Sequence, residues 1–90
     1  MRSDIVFSDL AKKDIEFHQK AGNLTVLRKI NTLILEIIEN PFSGTGKPEA
    51  LKYELTGKWS RRINREHRLI YSVTESTIYI YSAKGHYFDK

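Results

Sequence analysis

Leu27, Ile30, Leu33, Ile34, Ile37 and Ile38 recur at intervals of three and four residues. That spacing puts all six on one face of an α-helix, with Arg28, Lys29, Thr32, Glu36 and Glu39 on the other and Asn31 and Leu35 near the border. A helix this apolar on one side is marginal alone in water and needs a surface to cover that side. Asn40-Pro41 stops it, because the residue before a proline is pushed out of the α region. The covering surface must come from the rest of the chain. At 90 residues the chain is long enough for one core, and we expect a single domain over residues 1–90.

Upstream, Ile5-Val6-Phe7 is a short β-prone run. Ser8 then suits a helix N-cap, and Asp9 suits the first turn, where the helix dipole favours an anion. Leu10, Ala11, Ile15, Phe17 and His18 continue this helix to about Lys20, Gly22 ends it, and Asn23 can cap the next. Downstream, residues 42–48 form a loop whose two glycines lack the Walker spacing of a P-loop. The remainder predicts strands over 51–55, 58–64, 67–74 and 77–83, with turns near Arg65-Glu66 and Glu75-Ser76. Helices early and a strand meander late predict an α+β fold. Two N-terminal helices pack on one face of a twisted, largely antiparallel sheet of four to five strands.

Alternation assigns the faces. Leu69, Tyr71 and Val73 share the core face; Arg68, Ile70 and Ser72 share the other. Ile63 belongs to the core by type, so Arg62 and Asn64 point away from the helices. A two-residue turn at Glu75-Ser76 sets Val73 opposite Ile78 and Tyr71 opposite Ile80, leaving Tyr79 and Tyr81 with Arg68 on the open face. In the same register His86 would fall on the core face, so a bend or bulge is expected at Gly85.

Charge is unevenly placed. Residues 1–40 carry six Lys/Arg and six Asp/Glu, whereas residues 41–90 carry nine and five and hold the whole excess of +4. Arg61, Arg62, Arg65 and Arg68 fall within eight residues. Arginines and tyrosines on an open sheet suit phosphate contacts and base stacking, which points to a polyanionic partner. The plain alternative is a solvated charged hairpin with tyrosines filling an edge. The chain has no cysteine, which excludes a disulfide scaffold, a Cys-ligated metal and a thiol nucleophile. His18, His67 and His86 show no metal-ligand spacing, so neither a metal nor another cofactor is expected. His18 and His67 are read as surface or packing residues. No apolar run approaches the ~20 residues of a membrane span, and a soluble cytoplasmic protein is expected.

Gly46-Lys-Pro-Glu-Ala-Leu-Lys52, Leu55-Thr-Gly-Lys-Trp-Ser-Arg-Arg-Ile63, Glu66-His-Arg-Leu-Ile-Tyr71 and His86-Tyr87 together carry a family likeness. They resemble the YoeB/Txe group of RelE-superfamily toxins, whose pattern is close to GKPEPLK…LSGxWSRRI…EHRLVY…HY. The resemblance covers nearly the whole chain, including both helices and Asn40-Pro41-Phe42. It implies a RelE-like bacterial type II toxin: a ribosome-dependent endoribonuclease that cuts mRNA in the A site and inhibits translation. Its implied partners are a cognate antitoxin of the YefM/Axe kind, the ribosome and mRNA, and homodimerisation is a further family-level expectation. It places a general base on Glu49, a general acid on His86 and a charge-stabilising arginine on Arg68. Lys52, Arg62, Glu66 and Tyr87 fall on positions lining the same substrate groove. Two departures stand out: Ala50 replaces the second proline, and Phe88-Asp89-Lys90 follows the His-Tyr pair.

These three roles suffice for metal-free RNA cleavage. The neighbouring 2′-hydroxyl attacks, a base takes its proton, and an acid protonates the departing 5′-oxygen, each transfer contributing ~10²–10⁴-fold. A fixed arginine meets the extra charge on the phosphoryl oxygens. The same basic face would also serve a non-catalytic RNA- or ribosome-binding module that blocks translation by occupancy. Glu49 and His86 alongside Arg68 favour the enzyme.

Overall fold

Ser8 marks the junction between the first strand and the first helix. In the computed structural model, which describes residues 4–85, its Oγ accepts from the Ala11 amide at 3.0 Å and donates to the Tyr81 carbonyl at 2.7 Å. One hydroxyl thus caps the helix and ties it to the last strand. The elements in chain order are β1 (Asp4–Phe7), α1 (Asp9–Lys20), α2 (Leu24–Glu39), β2 (Glu49–Ala50), a 3₁₀ turn (Tyr53–Leu55), β3 (Trp59–Arg62), β4 (Arg68–Val73) and β5 (Thr77–Ser82). They form a five-stranded sheet in the order β1-β5-β4-β3-β2. β1 lies parallel to β5 and the other pairs are antiparallel, so the expected sheet is mixed at one edge.

Val26, Ile30, Leu33, Ile34 and Ile37 of α2 are buried. With Ala11 they cover a sheet face built from Ile63, Leu69, Tyr71, Ile78, Ile80 and Ala83. Val26 takes the place expected for Leu27, which is half-buried, as is Val73. Asn23 sits at the α2 N-cap position, but its side-chain amide is directed to His18 Nδ1 at 3.2 Å.

The segment 51–55 is not a strand. The Leu51 amide bonds to the Lys58 carbonyl at 2.9 Å, and the chain then leaves the ladder as Tyr53 takes φ 57° and Thr56 Oγ1 donates to its carbonyl at 2.7 Å. The face away from the helices is also less open than expected. Ser60, Ile70 and Ser82, aligned across β3, β4 and β5, are all buried, as is Leu51.

Arg61 departs furthest from its sequence reading. It shares the core-facing parity of Ile63 and is fully buried, so it is no part of the surface charge. Its Nε donates to Tyr71 Oη at 3.1 Å. Nη1 donates to the Thr45 carbonyl at 3.2 Å and Glu36 Oε1 at 3.4 Å, and Nη2 to the carbonyls of Ser43 (2.8 Å) and Asn40. Tyr71 Oη in turn donates to the Pro41 carbonyl at 2.7 Å. The loop from 40 to 46 is therefore folded around a guanidinium. Gly44, at φ 120°, passes so close that a Cβ there would lie 2.7 Å from Glu36 Oε1. The Thr45 backbone amide, then its side chain, and then the Arg61 and Lys29 charges hold the Glu36 carboxyl below its ordinary range. This contribution to stability is present above that range and is lost as pH falls through it.

Burying an arginine is costly unless every donor is met, and breaking such a set leaves several polar groups without partners. Arg61→Met should cost about 3–5 kcal/mol in denaturant unfolding. Tyr71→Phe should cost about 1–3 kcal/mol, since the guanidinium keeps its other partners. An Arg61→Met variant as stable as the parent would contradict this account of the loop.

Candidate active-site groove

β3 organises the groove. On one side it pairs with β2, setting Glu49 opposite Ser60; on the other it pairs with β4, setting Arg62 directly opposite Arg68. The Arg62 amide also donates to the Gly46 carbonyl at 2.7 Å, which lays the loop carrying Lys47 and Pro48 along the strand. Lys47 itself holds φ 51°, uncommon for a residue with a side chain. Gly46 admits this approach, because a Cβ there would sit 2.8 Å from the Arg62 carbonyl.

The result is a cavity of about 280 Å³ lined by Lys47, Pro48, Glu49, Arg62 and Arg68. It shares Lys47, Arg62 and Arg68 with a wider cavity of about 480 Å³, whose wall also includes Lys29, Gly46, Ile63, Asn64 and Arg65. Three of the expected site residues, Glu49, Arg62 and Arg68, are thus brought together. Lys52 lines a neighbouring depression of about 250 Å³ with Glu49, Ala50, Leu51 and Tyr53. Glu66 is exposed on the β3–β4 turn, where Asn64 Oδ1 accepts the Glu66 and His67 amides at 2.8 Å each, and it is not among the residues lining these three cavities. His86 and Tyr87 lie outside the described residues.

Arginines facing each other across a ladder repel, and an anion between them relieves that repulsion. Two arginines at facing register positions of paired strands, with Lys47 lining the same cavity, suit a phosphodiester. Glu49, exposed, is the one acidic residue lining the smaller cavity. Among the described residues no group of three His, Asp or Glu is placed to hold a metal ion. Nor is any helix among them long and apolar enough to cross a membrane.

Lys29 and Lys47 are additions to the residues expected from sequence, and Arg65 was expected only as a member of the arginine cluster. Lys47 stands inside the Gly46-Lys-Pro-Glu49 run, which was the available signal; Lys29 read only as part of the polar face of α2. The tyrosines differ from expectation in degree. Tyr79 is exposed, but Tyr81 is half-buried, with its hydroxyl 2.8 Å from Ser72 Oγ and Lys58 Nζ over its ring. The register supplies the parity change in an unexpected place. Tyr71 pairs with Ile80 but Ile70 with Ser82, so Tyr81 is an extra residue, a bulge four positions before Gly85. Beyond it Ser82 aligns with Ile70 and Ala83 returns to the core.

The sequence profile described as a YoeB-like toxin of a bacterial type II toxin–antitoxin system matches residues 7–87. The chain belongs to this YoeB-like toxin family. Toxin YoeB of Synechocystis sp. is 45% identical over 83 residues, spanning 92% of this chain and 95% of the relative. A solved YoeB dimer from Staphylococcus aureus superposes with TM-score 0.88 at 45% identity, covering 97% of this chain and 100% of that one. A YoeB–YefM complex from the same organism gives TM-score 0.85 at 46% identity, with coverage of 97% and 100%. The RelE-like α+β architecture expected from sequence is the one observed, with the parallel edge strand added.

The YoeB-like groove makes a direct physical prediction. Binding of a non-cleavable single-stranded RNA should weaken with salt, and each lost phosphate contact should lower the slope of log K against log salt by about 0.7. Lys47→Ala and Arg62→Ala should each do so in fluorescence anisotropy titrations. Slopes equal to that of the parent would place the RNA elsewhere.

Proposed function

We propose that this chain is a ribosome-dependent endoribonuclease that inhibits translation by cutting mRNA in the A site without a metal. The observation that supports it most is that Glu49, Arg62 and Arg68 line one cavity. In this reading Glu49 takes the 2′-hydroxyl proton and the 2′-oxygen attacks phosphorus. Arg68 offsets the charge gathering on the phosphoryl oxygens, and His86 protonates the leaving 5′-oxygen. The products are a 2′,3′-cyclic phosphate and a 5′-hydroxyl. Lys47 and Arg62 hold the backbone in place, Lys52 and Glu66 flank it, and Tyr87 offers a stacking surface beside the acid. Glu49 is exposed in the free chain, so RNA and ribosome closing over the groove supply the water-poor setting in which a carboxylate is a stronger base.

The family description and the solved YoeB–YefM assembly support a cognate antitoxin of the YefM/Axe kind, neutralising the toxin through an acidic segment laid against the arginines. The solved YoeB dimer supports homodimerisation, and action on the ribosome makes the cytoplasm its compartment.

Single-turnover cleavage of ribosome-bound mRNA tests the reading. Arg68→Ala and His86→Gln should each lower the rate by at least about 10²-fold while melting like the parent. A chain truncated after Gly85 should behave like His86→Gln, because Asp14 and His18 still grip Ala83. Variants that cut at the parental rate, or that still block translation fully without cutting, would favour occupancy of the ribosome as the toxic act.

A further inference from the structure

β1 accompanies β5 only as far as Ile80, the partner of Phe7. Past that point side chains of α1 and of its N-cap take over the outer edge of the strand. Ser8 Oγ donates to the Tyr81 carbonyl, Asp14 Oδ2 accepts the Ala83 amide at 2.8 Å, and His18 Nε2 donates to the Ala83 carbonyl at 2.9 Å. Asp14 and His18, one helical turn apart, thereby satisfy both backbone groups of Ala83 as a neighbouring strand would. Both are buried.

The inner edge is held differently. The Gly85 amide donates to His67 Nδ1 at 3.0 Å, and the Gly85 carbonyl accepts the Arg68 amide at 3.0 Å. Both backbone groups of Gly85, the residue before His86 in the sequence, are therefore taken up by Arg68 and its neighbour His67. Hydrogen-bond chemistry dictates the tautomers. A backbone amide can only donate, so His67 Nδ1 carries no proton; a carbonyl can only accept, so His18 Nε2 carries one. The two rings meet edge to face with centroids 4.8 Å apart, and Asn23 Nδ2 donates to His18 Nδ1.

We propose that His67, in its neutral Nε2-protonated form, is a positioning residue. With Asp14 and His18 on Ala83 it fixes the backbone from which the acid departs at a set distance from Arg68, so that the groove is assembled only while His67 is uncharged. The catalytic half of this inference rests on the function proposed above; the structural half does not. Charging His67 would set an N–H against the Gly85 N–H. Burial, first, then repulsion from His18 when it too is protonated, and from Lys84, push the His67 pKa down, against the opposing pull of Glu66 and Asp14. The unfolded chain therefore takes up the proton more readily than the folded one. The latch is complete above pH 6.5, the ordinary His value, and weakens as pH falls below it.

Amide exchange measured by NMR on the full chain tests the latch, and single-turnover cleavage tests its use. In His67→Ala the Gly85 amide should exchange about tenfold faster, the loss of one hydrogen bond. In His67→Asn, whose Oδ1 can stand in for Nδ1, protection should be restored. In the parent, Gly85 protection should fall below pH 6.5 after correction for intrinsic exchange, and in His67→Asn it should not. His67→Ala should lower the maximal cleavage rate about tenfold with little change in half-saturating ribosome concentration, and Asn should rescue it. Unchanged Gly85 protection in His67→Ala would overturn the latch. A loosened Gly85 with parental cleavage would overturn the positioning role. A parent that does not cut would overturn the proposed function, while the exchange results would still decide the latch.

Discussion

The guanidinium of Arg61 has five N–H donors, and each meets its own acceptor: a phenol, a carboxylate and three loop carbonyls. Replacing a whole buried polar set by apolar groups can be neutral or stabilising, but exchanging Arg61 alone leaves a phenol, a carboxylate and three carbonyls without their donor. What an apolar residue cannot do is choose among loop conformations. The carbonyls of Asn40, Ser43 and Thr45 must all turn inward to meet Arg61, and that leaves the loop one path. The path ends at Gly46, whose carbonyl joins β3, and from there Lys47 to Glu49 run beside Arg62. The groove is therefore built outward from a residue that never touches it.

Much of this was legible in the sequence, and what was legible is local. The stripe from Ile30 to Ile37 predicted its own helix and its own buried face. The turn at Glu75-Ser76 set Val73 against Ile78 and Tyr71 against Ile80, as observed. Ser8 was readable as a cap because the partner lies three residues away. The differences from expectation have other causes. Arg61 was counted with Arg62, Arg65 and Arg68 because composition cannot tell a cation that faces water from one whose partners lie 16 to 25 residues upstream. Leu51 to Leu55 has strand-like composition, yet the left-handed turn at Tyr53 removes it from the sheet. Asn23 suits a cap by type, but the imidazole of His18, five residues upstream, takes its side-chain amide.

The candidate site divides in the same way. Glu49, Arg62 and Arg68 stand on paired strands, so register alone brings them together. Lys47 reaches the same cavity by way of a loop, which has no period to read. Lys52 and Glu66 sit to either side, and His86 and Tyr87 lie beyond the described residues. For a YoeB-like toxin this basic groove has a consequence for inhibition. Under the proposed function, whatever presents negative charge at the spacing of a phosphodiester would compete with RNA for the same cations, so an acidic peptide would need no new pocket to act there.

The bulge at Tyr81 also shapes how this strand can change over generations. Substitution at 81 alters one side chain and leaves every later residue on its own face. Removal of that one residue would leave Ile80 and Ser82 consecutive against Tyr71 and Ile70, an unbroken ladder with Ala83 still on the core face. Insertion of a further residue beside a single bulge would instead exchange the faces of Ser82 and Ala83. The bulge is therefore a spare position: the strand can lose one residue there without changing what lies beyond it, but cannot gain one.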